Sequence, residues 1–339
     1  MATCVLMTAL RVLEFVREPN SIWNLPRHLA EGLARDHAGI EVLIPEGRAE
    51  ADALLPTADV VFGNAVTPAN LASATRLRWI HTPAAGVSHV LFRALVESRI
   101  VLTNGRGMHA HGMAEHAIGV MLTFARKLHW SRDAQNAQRW SQVEQWTEPP
   151  FMESLAGQTL GLVGFGRVGN AVAERARAMG MRVIAVRRNP PRGGDSPAPA
   201  DAQWGVERLH DLMAESDWVV LVAPQTPDTR HLIDAAALAR MKPSARIMNL
   251  GRGALIEDAA LIAALREGRI AGAALDVFEA EPLPAGHMDY TMREVFLTPH
   301  TSGFVPHYWE RAIEIFAANL ERFGAGEPLE NVVDKKAGY

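Results

Sequence analysis

Cysteine is all but missing from this 339-residue chain: Cys4 is the only one, so no intrachain disulfide can form. A reducing, cytoplasmic setting is therefore expected, and the run Cys4-Val5-Leu6-Met7 reads as a buried strand. Lysine is nearly absent too, at positions 127, 242, 335 and 336 only, which leaves arginine to carry almost all the basic charge. No basic segment leads into a long apolar stretch at the N-terminus. Nowhere do the roughly 20 apolar residues of a membrane span follow one another. Neither export by a signal peptide nor a transmembrane helix is expected. A formal net charge of -4 gives no electrostatic case for nucleic acid or an anionic membrane as partner. Low complexity is confined to residues 192–200, whose prolines and glycines make a surface loop without chemistry.

What the chain has is ample core material, 48% hydrophobic against 21% charged residues, enough for two domains. Short apolar runs near 3–8, 40–44, 58–62, 77–80 and 100–102 alternate with stretches of helical period, a βα repeat that predicts a parallel sheet. A second series of six strands is expected near 160–164, 182–186, 217–222, 246–249, 271–277 and 295–298. An unbroken helix over 109–130 and a last helix over 305–323 are expected to link the domains across a cleft. The predicted division is residues 1–104 with 300–339 as a discontinuous substrate-binding domain and 105–299 as a dinucleotide-binding domain.

The turn Gly164-Phe165-Gly166-Arg167-Val168-Gly169 comes after a short apolar strand and opens a helix, the context in which such a turn cradles a dinucleotide. Gly164 permits the turn, Gly166 admits the pyrophosphate and Gly169 lets helix pack on strand. An NAD site usually carries Asp or Glu at the end of the second strand. Here Val186-Arg187-Arg188-Asn189 stands there, with no acid between Glu174 and Asp195. Arg187 and Arg188 suit a ribose 2′-phosphate, so NADP(H) is expected to be preferred over NAD(H).

Arg252, Glu281 and His300 each come after a predicted strand, and ligands of open α/β sheets bind beyond the carboxyl ends of strands. Hydride transfer between an alcohol and a ketone needs a group that exchanges a proton with the oxygen, a role suited to histidine. A carboxylate beside it stabilises the imidazolium. Arginine's planar fork suits a substrate carboxylate. His300 is thus the expected acid/base, Glu281 its partner and Arg252 the anchor. The histidines at 109, 111 and 116 invite a metal reading, but no Cys or acidic ligands at metal spacing accompany them. No metal is expected.

The motifs Leu160-Gly-Leu-Val-Gly-Phe-Gly-Arg-Val-Gly169, Pro224-Gln-Thr-Pro-Asp-Thr-Arg230, Asn249-Leu-Gly-Arg-Gly253, Gly272-Ala-Ala-Leu-Asp-Val-Phe278 and Leu297-Thr-Pro-His-Thr-Ser-Gly303 make the chain resemble the D-2-hydroxyacid dehydrogenase family over nearly its whole length. The resemblance implies two doubly wound parallel-sheet α/β domains, one flavodoxin-like and one a Rossmann domain, separated by a cleft. It implies catalytic roles for Arg252, Glu281 and His300, with Pro224, Thr229 and Leu250 lining the cofactor site and Asp276 near the nicotinamide amide. The loop Ala84-Ala85-Gly86-Val87 is implied to receive the substrate carboxylate, through Ala85, Gly86 and Val87. A homodimer through the nucleotide domains, using segment 128–146 with Trp130, Trp140 and Trp146, is implied as well.

The arginine pair makes the chain look like the NADPH-dependent glyoxylate and hydroxypyruvate reductases rather than phosphoglycerate dehydrogenase. A formate dehydrogenase reading is disfavoured, because that branch carries glutamine where Glu281 stands. The chain ends at Tyr339, so no regulatory domain or amino-acid feedback is expected. Two alternatives stay open: an NAD-dependent dehydrogenase of a bulkier 2-hydroxy acid, and a non-enzymatic NADP(H)-binding module like the family's corepressor relatives.

Overall fold

The computed structural model describes residues 9–17, 21–191, 199–287 and 290–339. The chain divides into two compact units, residues 1–108 with 306–339 and residues 109–305. Both boundaries thus fall a few residues later in the chain than the expected 104 and 300. At the second boundary the reason is local: the backbone N–H groups of Thr301 and Ser302 donate to the Asp276 carboxylate and hold that segment in the second unit.

The first unit begins with strand β1 (Leu10–Phe15). The expected strand near 3–8, with Cys4, lies outside the described residues. Arg11 and Glu14 interrupt the apolar pattern of 10–15 and hide this strand from a reading by hydrophobicity. In the fold Arg11 pairs with Glu41 at 2.9 Å, and buried Glu14 accepts from the Val16 N–H at 2.8 Å. Then come α1 (Arg27–Asp36), β2 (Ile40–Leu43), α2 (Arg48–Leu54), β3 (Val60–Gly63), β4 (Trp79–Thr82), α3 (Arg93–Glu97) and β5 (Val101–Asn104). The strands are parallel in the order β2-β1-β3-β4-β5, the flavodoxin-like doubly wound arrangement.

The second unit opens with α4 (Ala110–Ala125), α5 (Leu128–Asn136) and α6 (Gln142–Thr147). The expected unbroken helix over 109–130 is two helices. Lys127 sits between them in the left-handed region, φ 51°, and its buried ammonium donates to the Gln145 and Glu148 carbonyls. Next come β6 (Thr159–Val163), α7 (Arg167–Ala178), β7 (Arg182–Val186), β8 (Ala202–Trp204), α8 (Leu209–Glu215) and β9 (Trp218–Leu221). The unit continues with α9 (Ala235–Leu238), β10 (Arg246–Asn249), α10 (Asp258–Arg266), β11 (Gly272–Leu275) and β12 (Val295–Leu297).

The sheet order β12-β11-β10-β9-β6-β7-β8 is that of a Rossmann domain, with the order reversing beside β6. Among the described residues it has seven strands in place of the expected six. β8 is three residues long with a polar centre, Gln203, too short to show a period. It is held by tertiary bonds: the Asp201 carboxylate accepts from the Val183 N–H at 2.7 Å. Four core clusters flank the two sheets, two in each unit. The alanines of α4 share one with Val172, Ala173 and Ala176 of α7. Small side chains on both helices permit close approach.

The chain returns to the first unit as α11 (Tyr308–Ala325), which closes one face of its sheet. Phe316 stacks on Phe62 with ring centroids 4.5 Å apart and on Trp79 at 5.1 Å. Within this aromatic layer lies His81, fully buried. Its Nδ1 is 2.8 Å from the Thr103 hydroxyl, which also accepts from the Trp79 indole N–H, while its Nε2 has no hydrogen-bond partner. Burial pushes the His81 imidazole down to about 3. An unfolded histidine titrates near 6.5, so acid destabilises the native state as pH falls through the window from about 6.5 to about 3. Urea unfolding at pH 7 and pH 5 should show that His81→Leu loses about 2 kcal/mol less stability over this interval than the unaltered protein. Parallel losses in the two proteins would exclude the role.

Candidate active site

The second unit gathers its chemistry beyond the carboxyl ends of β10, β11 and β12. After β10, the side chain of Asn249 closes a turn: its Oδ1 accepts from the Gly251 N–H at 3.1 Å and its Nδ2 donates to the Arg252 carbonyl at 2.9 Å. Arg252 leaves this turn with extended backbone, and its guanidinium donates to the Gly251 carbonyl at 2.6 Å. Burial lowers the Arg252 pKa and nearby Glu281 opposes that shift; the group remains a cation at neutral pH. Gly253 is required by contact, because a Cβ there would lie 1.9 Å from the Phe278 carbonyl carbon. The loop after β10 thus packs directly on the loop after β11.

Asp276, at the end of β11, is 1% exposed and has both carboxylate oxygens engaged. Oδ1 accepts from the Thr298 hydroxyl at 2.6 Å and the Thr301 N–H at 2.9 Å, and Oδ2 accepts from the Ser302 N–H at 3.0 Å. The His300 N–H donates to the Asp276 carbonyl at 2.8 Å. The loop after β12 is therefore fastened on both sides of His300. The fastening matters because His300 sits at φ 53°, a conformation that costs a non-glycine residue of order 1–3 kcal/mol.

Held this way, His300 presents Nδ1 to Glu281 Oε2 at 2.7 Å. The second oxygen of Glu281 accepts from the Phe278 N–H at 2.9 Å, which fixes the carboxylate plane. With Nδ1 facing the carboxylate, Nε2 is the ring atom left to exchange a proton with a ligand oxygen. The pair is half open to solvent, with side-chain exposures of 50% for His300 and 34% for Glu281. Arg252, Glu281 and His300 thus belong to one loop cluster. Ala85, Gly86 and Val87 belong to the other unit, in the loop after β4, where the Ala85 carbonyl accepts from the Asn104 side chain at 2.6 Å.

The nucleotide cradle lies beyond β6. Gly164 has φ 98° and a Cβ there would come within 2.7 Å of the Ala223 nitrogen. Gly166 caps α7 and faces open space where a Cβ would be, so backbone can approach a ligand. The first-turn N–H groups of α7, including those of Arg167, Val168 and Gly169, have no partner within the helix and suit a pyrophosphate. At the end of β7, Arg187 Nη1 lies 3.4 Å from Gln203 Oε1 and Arg188 Nη2 lies 3.3 Å from Asp228 Oδ2. Thr229 ties its own turn, accepting from the Thr226 N–H and donating to the Pro224 carbonyl, both at 2.8 Å. Leu250 is a core residue, 3% exposed. The open glycine at the start of α7 fits a dinucleotide.

The three histidines of the metal question have separate partners. His109 Nδ1 is 2.9 Å from the Gly303 carbonyl, His111 Nδ1 is 3.2 Å from Arg175 and His116 Nε2 is 3.4 Å from the Thr298 hydroxyl. Burial lowers the His109 pKa, partly opposed by its bond to Gly303, and burial lowers that of His116, partly opposed by Asp276. Among the described residues no group of three His, Cys, Asp or Glu is placed to hold a metal ion. No described helix is long and apolar enough to cross a membrane.

Residues 118–302 match the family model for the NAD-binding domain of D-isomer-specific 2-hydroxyacid dehydrogenases. A glyoxylate reductase of Aeropyrum pernix is 34% identical over 298 residues, 87% of this chain and 86% of its own. Among solved structures, a D-isomer-specific 2-hydroxyacid dehydrogenase from Xanthobacter autotrophicus in complex with NADPH superposes with a TM-score of 0.80 at 28% identity, covering 98% of this chain and 100% of that one. An NADPH-dependent glyoxylate/hydroxypyruvate reductase from Sinorhizobium meliloti gives 0.78 at 25%, covering 97% and 100%. The chain belongs to the D-isomer-specific 2-hydroxyacid dehydrogenase family. It is an NAD(P)-dependent oxidoreductase acting on CH–OH donors.

Asn249, Thr298 and Ser302 are site residues beyond those the sequence nominates. Only Asn249 carries a signal there, since Asn before a Gly-x-Gly turn commonly closes it. Replacing Asp276 with Asn turns one of two acceptors into a donor facing donors. Urea unfolding should show Asp276→Asn less stable by about 1–3 kcal/mol, with faster hydrogen exchange at Thr301 and Ser302. Unchanged stability and exchange would exclude the fastening role.

Proposed function

We propose that this protein reduces a small 2-oxo acid to its D-2-hydroxy acid at the expense of NADPH, with glyoxylate or hydroxypyruvate as substrate. The observation that carries the reading is the 2.7 Å contact between His300 Nδ1 and Glu281 in the loop cluster that holds Arg252. When bound, the reduced nicotinamide supplies a hydride to the carbonyl carbon. His300 gives the proton from Nε2 to the developing alkoxide, and Glu281 stabilises the imidazolium before transfer. Arg252 binds the substrate carboxylate through its fork and polarises the carbonyl. Pro224, Thr229 and Leu250 line the cofactor site, with Asp276 near the nicotinamide amide. Arg187 and Arg188 take the 2′-phosphate, for which charge-assisted bonds of about 1.5–3 kcal/mol give roughly a tenfold to hundredfold preference. Relatives acting on glyoxylate support the substrate class.

The test is oxidation of NADPH and of NADH with glyoxylate, hydroxypyruvate, pyruvate and phenylpyruvate. NADPH with one of the first two should turn over fastest, His300→Ala should lower kcat by about 10²–10⁴ and Arg252→Ala should raise the KM for the oxo acid. Tight NADPH binding without turnover of any acid would overturn the proposal in favour of a binding module.

The same reading includes a homodimer through the second unit. Trp140, Trp146, Val143 and Phe151 are 87%, 76%, 70% and 60% exposed and lie in or beside α5 and α6. A second copy is the occupant that fits this apolar surface. Trp130, in the same segment, packs under the Lys127 ammonium at 4.5 Å and the Arg293 guanidinium at 3.8 Å. Light scattering should give a dimer mass, reduced to a monomer by joint Trp140→Asp and Trp146→Asp substitution. A monomer before substitution would contradict the assignment.

A further inference from the structure

The two arginines at the end of β7 are not equally available. Arg187 faces a neutral amide, Gln203, at 3.4 Å, whereas Arg188 faces a full negative charge, Asp228, at 3.3 Å. Asp228 is carried by the turn between Pro224 and Arg230, beyond the carboxyl end of β9. That turn is closed by Thr226, Thr229 and the Arg230 N–H, which donates to the Thr226 carbonyl at 3.1 Å. Its backbone position is thus set, while its side chain is 82% exposed. Among the described residues Arg188 is the one group with which it pairs.

We propose that Asp228 is a specificity-determining residue that weakens the hold of Arg188 on a ribose 2′-phosphate and so sets how strongly the protein prefers NADPH. The proposal rests on the reading of Arg187 and Arg188 as the seat of that phosphate. A phosphate arriving at Arg188 either displaces Asp228 or binds beside it. Displacement gives up an existing ion pair; binding beside it places two anions on one cation. Either way the gain is smaller than an unpaired arginine would provide. A ligand with a free 2′-hydroxyl has no such competitor. The pair is exposed, and exposed pairs contribute little to folding, so removing the charge leaves the fold intact.

Two nucleotides isolate the effect, because adenosine 2′,5′-bisphosphate and adenosine 5′-monophosphate differ only in the 2′-phosphate. Calorimetric titration of both into the full-length protein, Asp228→Asn, Arg188→Gln and the double variant measures binding without turnover. Asp228→Asn should bind the bisphosphate about three- to tenfold more tightly, as expected for removing one exposed charge near a dianion. It should bind the monophosphate within twofold of the unaltered protein, and the gain should vanish in the Arg188→Gln background. Parallel tightening for both nucleotides, no tightening, or a gain that persists without Arg188 would overturn the proposal. If the unaltered protein binds both nucleotides alike but Asp228→Asn prefers the bisphosphate, Asp228 keeps its role and the preference of the unaltered protein falls. If neither protein distinguishes them, both readings fall.

Discussion

The candidate site depends on one buried carboxylate. Asp276 stands where β11 ends and receives three donors from the segment after β12, one hydroxyl and two backbone N–H groups. An ionised acceptor makes each such bond stronger than a neutral one, and removing the acceptor would strand buried N–H groups. That asymmetry lets His300 occupy a left-handed conformation that its side chain disfavours. From there the ring reaches Glu281, whose own loop is pressed against the Arg252 loop at Gly253. Arg252, Glu281 and His300 are brought together by backbone contacts and by the side chains of Asn249 and Asp276.

The nucleotide side obeys another logic. Its cradle is built from absent side chains, at Gly164 and Gly166, and the selectivity proposed for it rests on charges standing in solvent at the end of β7. Exposed charges are screened and cheap to rearrange, so cofactor choice can be adjusted there without disturbing the core. The buried pairing around Asp276 has no such freedom. A parallel sheet places both parts at the carboxyl ends of its strands, yet their energetic character is opposite.

Much of this was legible in the sequence, because strands buried on both faces read as apolar runs and glycine turns punctuate them. β6, β7, β10 and β12 lie within a residue or two of their expected positions. Other features were hidden for identifiable reasons. β1 carries Arg11 and Glu14, whose charges are paired with Glu41 and Arg17 respectively. β8 is too short for a period. The break at Lys127 looks like continuing helix until the carbonyls of Gln145 and Glu148 are seen around its ammonium. Glu281 and His300 could be nominated from strand ends, but the Asp276 fastening could not, because hydroxyl and N–H donors leave no spacing rule.

The fastened loop presents His300 with Nδ1 toward Glu281, which leaves Nε2 for a ligand oxygen. The nitrogen-15 chemical shifts of the His300 imidazole measure this directly, assigned by comparison with His300→Gln. The neutral ring should carry its proton on Nδ1, and this tautomer should lose its dominance in Glu281→Ala. A neutral ring protonated on Nε2 in the unaltered protein would contradict this arrangement.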